Sequence, residues 1–247
     1  EFEYKFSKYT GLINDISVNG KSFTTFPLCL TAKTVSGIKA GTRLYHYDYD
    51  ADDANIKIKA ALSLCADGYV PFAEVEAEYS IISTGDMDML FKVSSLDNSE
   101  RIAKFGIKIP AAQEFINAEY FAYGPGINTA EMKSGAVFGN FVTNASKMTK
   151  ESIICRRPPH RYGAKWAGIY DESRIGMLIC GEFIFGFLKD DETNTAYAGY
   201  IQDGLKNELD SSFEFHLLLR PIKPDGRKLS EISNMAYKMY GGYQISL

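Results

Sequence analysis

The sequence is poor in the residues that build metal centres and disulfide frameworks. It holds four cysteines and three histidines in 247 residues, and no two cysteines form a Cys-x-x-Cys pair. Because a zinc site needs Cys and His ligands at short spacing, we predict no metal site, and we expect no organic cofactor. Cys65 and Cys180 lie in apolar runs, which predicts that both are buried thiols.

The sequence also lacks a basic stripe and a long apolar run. Its 27 basic and 31 acidic residues are spread evenly, with a net charge of −4, so we expect neither nucleic acid nor a membrane as a partner. No basic-then-apolar leader is visible, and a bacterial cytoplasmic or periplasmic location stays open. Because the first residue is Glu1 and not Met, we expect an excised domain or a processed chain.

Aromatic residues and alternating patterns, by contrast, are abundant. Tyr and Phe number 16 each, which favours strands, although aromatic faces can also stack on a sugar ring. The runs Ile56–Leu64, Ala73–Ile81 and Met87–Val93 alternate apolar and polar residues and are separated by turn residues at 67–68 and 83–86. This pattern predicts a three-stranded antiparallel meander with one solvent-facing side.

A ladder of carboxylates, Glu74, Glu76 and Glu78, occupies alternate positions of the second run. Such a ladder can suggest paired catalytic acids. Its position on one sheet face opposite Lys57 and Lys59 instead favours solvated cross-strand charge pairs. We therefore predict no catalytic residue in the ladder.

Further alternating runs predict strands along most of the chain, and Asn19-Gly20 predicts a tight hairpin. The polar segment Asp190–Ser212 predicts a long loop or a short helix, and Leu229–Tyr240 has helical spacing that predicts a C-terminal helix. The further strands are predicted at Phe2–Phe6, Leu12–Val18, Arg101–Ile109, Ala118–Tyr123, Ala136–Phe141, Lys165–Tyr170, Arg174–Cys180, Phe183–Leu188 and Phe213–Leu219. Short strands at regular spacing indicate a sandwich or a barrel, here as a single domain over residues 1–247.

Three segments carry a resemblance to a known family. Residues 105–110 read Phe-Gly-Ile-Lys-Ile-Pro, and residues 117–125 read Asn-Ala-Glu-Tyr-Phe-Ala-Tyr-Gly-Pro. With the opening Phe-Ser-Lys-Tyr-Thr-Gly-Leu at 6–12, they resemble the C-terminal domain of family 2 β-galactosidases, called the small chain in two-subunit forms. The resemblance is best over Ala118–Gly139 and looser over Ile153–Leu188.

The resemblance implies a fold and a division of labour. It implies an all-β, large two-sheet antiparallel supersandwich, similar to galactose mutarotase, with a short C-terminal helix. It also implies a place beside a (β/α)8 barrel of the same parent protein. That barrel would supply the two carboxylates of a retaining mechanism, about 5–5.5 Å apart, while this domain would wall the sugar subsite.

Several phrases of that family are replaced in this chain. Phe26-Pro27-Leu28-Cys29 stands where the family has an Arg-x-Pro-Thr-Asp-Asn-Asp stretch, and residues 158–163 stand where it has Glu-Asn-Gly. The late Trp loop has no counterpart, since Trp166 is the only Trp. The sugar and the linkage are therefore left open.

Two clusters are the candidate sugar-binding sites. Arg157, His160, Arg161 and Trp166 follow or flank the two prolines at 158–159, which stiffen a loop rich in hydrogen-bond donors. A surface loop packed on a neighbouring domain would have the same composition. The second cluster comprises Tyr123, Asn128 and Glu131 around the Gly-Pro-Gly turn at 124–126, which a plain strand-exit turn also explains.

Three functional hypotheses remain. The first is a module of a β-galactosidase-type hydrolase that binds carbohydrate, has no catalytic residue of its own and is inactive as an isolated chain. The second is a free-standing aldose 1-epimerase-like enzyme, in which His160 and Glu131 would act as acid and base across a pyranose. The third is a carbohydrate-binding or scaffolding sandwich, because fold alone does not determine function.

Overall fold

The computed structural model describes residues 2–52, 55–66, 70–96, 101–129, 135–202, 209–224 and 226–233. Within these ranges fifteen strands and one helix of eleven residues are present, and residues 229–233 form a further helical turn. No helix in the described ranges is long and apolar enough to cross a membrane. The elements are β1 (Phe2–Phe6), β2 (Ile13–Val18), β3 (Lys21–Ser22), β4 (Cys29–Thr34), β5 (Ala40–Ala51), β6 (Asn55–Ala66), β7 (Val70–Ile82), β8 (Met87–Ser95), β9 (Ile102–Ala111), β10 (Asn117–Gly124), β11 (Val137–Asn144), α1 (Ala145–Cys155), β12 (Arg161–Tyr170), β13 (Gly176–Lys189), β14 (Asn194–Ile201) and β15 (Ser212–Ile222).

Twelve of the strands form one large antiparallel sheet that folds over on itself. Its main path runs β11-β10-β12-β13-β15-β8-β7-β6-β5, and β14, β9 and β4 branch from β13 in that order. The branch is the second layer of a sandwich, while β1, β2 and β3 form a small separate sheet. The predicted all-β, two-sheet antiparallel supersandwich is therefore confirmed.

Strand β13 belongs to both layers. One of its two edges pairs with β12, and the other pairs with two different strands in turn. Residues 176–181 pair with β15, and residues 184–189 pair with β14, while β12 follows the other edge. Gly181, at the change, has φ of 152°, and a Cβ there would lie 2.8 Å from the carbonyl oxygen of His216. The sequence predicted two strands with a break here; the structure has one strand of 14 residues that bends.

The main core lies between the layers and is rich in phenylalanine. The ring of Phe105, on β9, lies 5.7 Å from that of Phe91 and 5.9 Å from that of Phe215, both on the opposite layer. A second apolar cluster lies on the outer face of β12, β13 and β15, where Leu229 and Ile232 of the C-terminal helical turn cover it. Burial on both faces explains the continuous apolar runs of β12 and β13.

Several local predictions are confirmed. Strands β6, β7 and β8 form the expected meander, and Asn19 and Gly20 have φ of 51° and 78°, as a tight hairpin turn requires. In the carboxylate ladder Glu78 lies opposite Lys59 in the strand register and forms an ion pair with Lys92 at 3.4 Å, whereas Ser80 and not a carboxylate lies opposite Lys57. Cys65 and Cys180 are buried free thiols.

Two segments differ from the sequence-based expectations. Asp190–Ser212 is not a loop or a helix throughout, because β14 occupies residues 194–201 between β13 and β9. Helix α1 was not expected; Asn144 is its N-cap and accepts a hydrogen bond from the backbone N–H of Lys147 at 2.8 Å. Of the predicted C-terminal helix the first five residues are helical, and residues 234–240 lie outside the described residues.

Gly181→Ala tests the importance of the bend in β13. The added methyl group would meet the His216 carbonyl in a backbone region that favours glycine, so we expect a loss of about 2 kcal/mol or more of unfolding free energy. Urea unfolding followed by far-UV circular dichroism measures it. Gly139→Ala on β11 is the matched control, since the nearest atoms to its added Cβ are 3.9 Å away. Equal stability of the two variants would contradict this role of Gly181.

Candidate functional site

A cleft of about 1010 Å³ lies over the outer face of the second layer. Its floor is formed by β4, β9, β14 and the end of β13, and its wall by α1 and the loop at 156–160. A volume of this size is at the upper end of the roughly 300–1,000 Å³ typical of small-molecule sites. The residues that line it include Thr31, Lys33, Lys39, Lys104, Lys108, Thr149, Ser152, Arg156, Arg157, Pro158, Pro159, His160, Gly186, Lys189, Asp190, Thr195 and Tyr197.

The ring of Tyr197 forms part of the floor of the cleft and packs against two glycines. A Cβ at Gly199 would lie 2.1 Å from the Tyr197 hydroxyl, and a Cβ at Gly106 would lie 2.9 Å from the Tyr197 ring. These glycines therefore leave the space that the tyrosine ring fills. The imidazole of His160 stacks on the same ring, with centroids 5.5 Å apart and planes 19° apart.

His160 is held in its neutral form. Burial in the stack, and then the positive charges of Lys104 and Arg161, lower the pKa of His160 to about 4. Its backbone carbonyl accepts a hydrogen bond from the N–H of Asn128 at 3.1 Å, which holds the end of the loop in place. At pH 7 this imidazole is a flat, uncharged surface with polar nitrogen atoms.

Helix α1 positions the wall of the cleft. The Thr149 hydroxyl accepts a hydrogen bond from the Lys189 backbone N–H at 2.7 Å, which ties the helix to the end of β13. The Ser152 hydroxyl donates to the Arg157 carbonyl at 2.6 Å, and Arg156 ends the helix in the left-handed conformation. These contacts place the Arg156 and Arg157 side chains at the cleft.

Arg161 lies behind the wall rather than in the cleft. It is 0% exposed, pairs with Glu151 of α1, and donates from Nε to the Tyr120 hydroxyl at 3.0 Å. Tyr120 in turn donates to the Pro125 carbonyl at 3.1 Å. The chain of contacts joins α1, β12, β10 and the turn after β10, so Arg161 acts as a brace for the loop.

Asn128 is a second brace. It is 2% exposed, and its side-chain nitrogen donates to the carbonyls of Tyr123 and Gly126 at 2.7 and 2.9 Å. Its side-chain oxygen accepts from the backbone N–H of Tyr162 at 2.7 Å. Because both ends of the amide are used by the backbone, Asn128 shapes the turn instead of facing a ligand.

Tyr123 and Trp166 are not among the described residues that line the cleft. Tyr123 packs edge-on against Phe138, with centroids 5.0 Å apart, beside the turn that Asn128 holds. Trp166 is 3% exposed in the apolar cluster on the outer face of β12, β13 and β15. Glu131 lies outside the described residues. Of the seven predicted residues, Arg157 and His160 line the cleft.

The cleft is strongly basic. Seven of its lining residues are cations and one, Asp190, is an acid. No group of three or more His, Cys, Asp or Glu side chains suited to a metal ion occurs in the described part of the chain. The chemistry that the cleft supports is binding of a polar or anionic molecule over an aromatic floor.

Sequence reasoning missed Tyr197 and the lysines of the floor. Tyr197 lies in the segment that was expected to be a long loop or a short helix, although Thr195, Tyr197 and Gly199 alternate with Ala196 and Ala198 as a half-buried strand requires. Lys33, Lys104 and Lys108 come from distant parts of the chain. No local pattern shows that β4, β9 and β14 place them on one face.

Known proteins that resemble the chain define a family and a fold. The family model described as beta galactosidase small chain matches residues 1–218. No curated protein matches the sequence. A glycoside hydrolase family 97 enzyme from Pseudoalteromonas sp. strain K8 is 6% identical with a TM-score of 0.51, over 90% of this chain and 34% of that one. A candidate aldose 1-epimerase from Escherichia coli K12 is 8% identical with a TM-score of 0.51, over 90% of this chain and 99% of that one.

A β-arabinopyranosidase structure is 10% identical with a TM-score of 0.49, over 90% of this chain and 38% of that one. The chain thus spans little more than a third of each of the two glycosidases. At such low identity the likeness concerns the fold alone. The expected resemblance to galactose mutarotase-like sandwiches is confirmed.

The low pKa of His160 can be measured directly. We expect its imidazole signals in NMR to titrate with a midpoint of about 4, compared with the usual 6.5. As the pH falls from 6.5 towards 4, the unfolded chain binds a proton that the folded chain does not, so this residue makes the fold less stable. His160→Gln identifies the signal by its loss and removes that part of the pH dependence. A midpoint near 6.5 would contradict the buried stack.

Glu151→Ala tests the brace formed by Arg161. It leaves a buried guanidinium without its carboxylate, so we expect a loss of about 2 kcal/mol of unfolding free energy. Glu182→Ala is the matched control, because Glu182 pairs with Lys165 at 3.1 Å but is exposed. The control should change stability by no more than about 0.5 kcal/mol in the same urea titration. If both substitutions have equally small effects, Arg161 does not brace the loop.

Proposed function

Because the chain belongs to the β-galactosidase small-chain family, we propose that it is the C-terminal domain of a β-galactosidase-type glycoside hydrolase. It binds carbohydrate and walls the active site, and it forms a single domain. The match of the family model over residues 1–218 carries this proposal. The catalytic carboxylates belong to a (β/α)8 barrel of the same parent protein.

The carboxylate content of the cleft supports this division of labour. A retaining glycosidase uses two carboxyl groups about 5–5.5 Å apart. Among the described lining residues Asp190 is the only carboxylate, and it accepts hydrogen bonds from the backbone N–H groups of Thr193 and Glu192 at 2.8 and 3.1 Å. The Thr193 bond is the main cause of a lowered pKa of Asp190. A carboxylate held in this way stays ionised and does not serve as a general acid.

The lining of the cleft also suits a carbohydrate. The His160 imidazole, stacked on Tyr197, offers a flat surface for the C–H face of a pyranose, and Thr31, Thr195 and Ser152 line the same cleft with hydroxyl groups. The two prolines at 158–159 stiffen the loop that carries Arg157, so little conformational entropy is lost when it meets a ligand. Carbohydrate and the barrel are the proposed partners.

An aldose 1-epimerase-like activity is the second candidate, because the Escherichia coli neighbour aligns over 99% of its own length. That reaction needs an acid and a base placed across the sugar ring. With a pKa of about 4, His160 is largely deprotonated at neutral pH and is a poor general acid. The carboxylate of Asp190 accepts hydrogen bonds from the backbone of its own turn. The cleft therefore supports binding better than proton transfer.

Assays of the purified 247-residue chain separate these functions. We expect it to release no nitrophenol from p-nitrophenyl β-D-galactopyranoside, because its cleft lacks an acid–nucleophile pair among the described residues. We also expect it not to accelerate the mutarotation of α-D-galactose in a polarimeter. Turnover in either assay that disappears in the variants His160→Gln or Asp190→Asn would overturn the proposal.

A positive test uses the parent protein. The transcript that contains the codons for Glu1–Leu247 should encode a (β/α)8 barrel in the same or an adjacent reading frame. That product should hydrolyse a glycoside, and removal of residues 1–247 from it should reduce kcat/KM by at least about tenfold, as expected when substrate-positioning groups are lost. An adjacent region without a barrel would contradict the proposed partnership.

A further inference from the structure

Six of the seven basic side chains that line the cleft form no ion pair with a carboxylate in the described part of the chain. These six are Lys33, Lys39, Lys104, Lys108, Arg156 and Lys189. The one acid of the lining, Asp190, is directed to its own turn through Thr193. An excess of positive charge therefore faces the cleft in a protein whose net charge is −4.

Three of these lysines lie so close together that their positive charges repel one another. In the pairing of β4 with β9, Lys33 lies directly opposite Lys104, and an isolated bridge places Lys33 opposite Lys39 as well. Like charges directly opposite one another destabilise a sheet. Burial and then the charge of Lys33 lower the pKa of Lys104. A cluster of lysines that destabilises the fold is expected at a binding site, because a bound anion supplies the negative charge that the protein itself does not provide there.

The residues beside these lysines indicate which kind of anion the cleft binds. Lys108 lies opposite Tyr197 in the pairing of β9 with β14, so the charged edge of the cleft adjoins the aromatic floor. A free inorganic anion would need the cations but not the flat rings of Tyr197 and His160 or the hydroxyl of Thr31. A sugar that carries a carboxylate or a sulfate ester uses both parts of the cleft.

We propose that this cleft binds an acidic saccharide, whose anionic group lies against Lys33, Lys39 and Lys104 and whose pyranose ring lies against the imidazole of His160, which is stacked on Tyr197. The inference rests on the proposed carbohydrate-binding function and narrows it to uronic acid or sulfated sugars. It places the anionic group of the ligand at three lysines that the family resemblance did not identify as site residues. The barrel of the parent protein would then act on, or be held near, a glycan of negative charge.

Isothermal titration calorimetry of the 247-residue chain tests the proposal with four probes. These are a galacturonic acid trisaccharide, a sulfated galactose disaccharide, neutral β-1,4-galactotriose and sodium sulfate. We expect one of the two acidic saccharides to bind at least about tenfold more tightly than galactotriose at low salt, and this advantage to shrink as salt screens the lysines. The acidic probe that binds distinguishes a carboxylate from a sulfate ester.

Paired variants identify the site. Lys33→Gln/Lys104→Gln should weaken binding of the acidic saccharide by at least about tenfold, because two of the contacting charges are lost. Lys57→Gln/Lys59→Gln removes the same charge from solvent-exposed positions of β6 and should leave binding unchanged. Since the first variant also relieves repulsion between the lysines, its thermal unfolding midpoint should equal or exceed that of the unsubstituted 247-residue chain. Weakened binding therefore cannot be attributed to unfolding.

Several results would overturn the acidic-saccharide site. Equal affinity for galactotriose and both acidic probes, unaffected by Lys33→Gln/Lys104→Gln, would leave carbohydrate binding intact but refute the role of charge. Binding of sodium sulfate without binding of either acidic saccharide would refute the sugar as the ligand. Hydrolysis or mutarotation by the isolated chain is a separate readout, and it concerns the proposed function rather than the ligand charge.

Discussion

The pairing of β13 with three other strands is the constraint on which the structure depends. One edge of the strand follows β12, and the other changes from β15 to β14 at Gly181. This change lets one continuous set of backbone hydrogen bonds build both layers of the sandwich. It also fixes where the second layer begins, and so it places Gly186, Tyr197 and the lysines of β9 and β4 on one outer face.

The cleft follows from that geometry and from two buried polar braces. Arg161 joins α1 to Tyr120, and Asn128 joins the turn after β10 to the start of β12. Both side chains are removed from solvent and fully engaged, as buried polar groups must be. Their effect on the site is indirect, since they hold the loop on which Arg157 and His160 are presented to the cleft.

The sequence supported most of the fold and little of the site. Alternation identified β6, β7 and β8, and Asn19-Gly20 identified its hairpin, because these signals arise between neighbouring residues. The same reasoning found Arg157 and His160, which stand together in a proline-stiffened loop. It could not tell that Arg161, one residue further, points inward to Glu151, or that Trp166 faces an apolar cluster, because the sides of β12 are defined by distant strands and the C-terminal turn.

Charge shows most clearly what each level of structure determined. By itself, the sequence determined an all-β chain with a hydrophobic interior, a family resemblance and a balanced, evenly spread charge of −4. Only the tertiary structure decided that Lys33, Lys39, Lys104, Lys108 and Lys189 meet in one cleft beside Tyr197. The physical reason is that antiparallel pairing brings residues roughly 70 to 90 positions apart, such as Lys33 and Lys104 or Lys108 and Tyr197, to within one strand spacing, a relation that no local period in the sequence records.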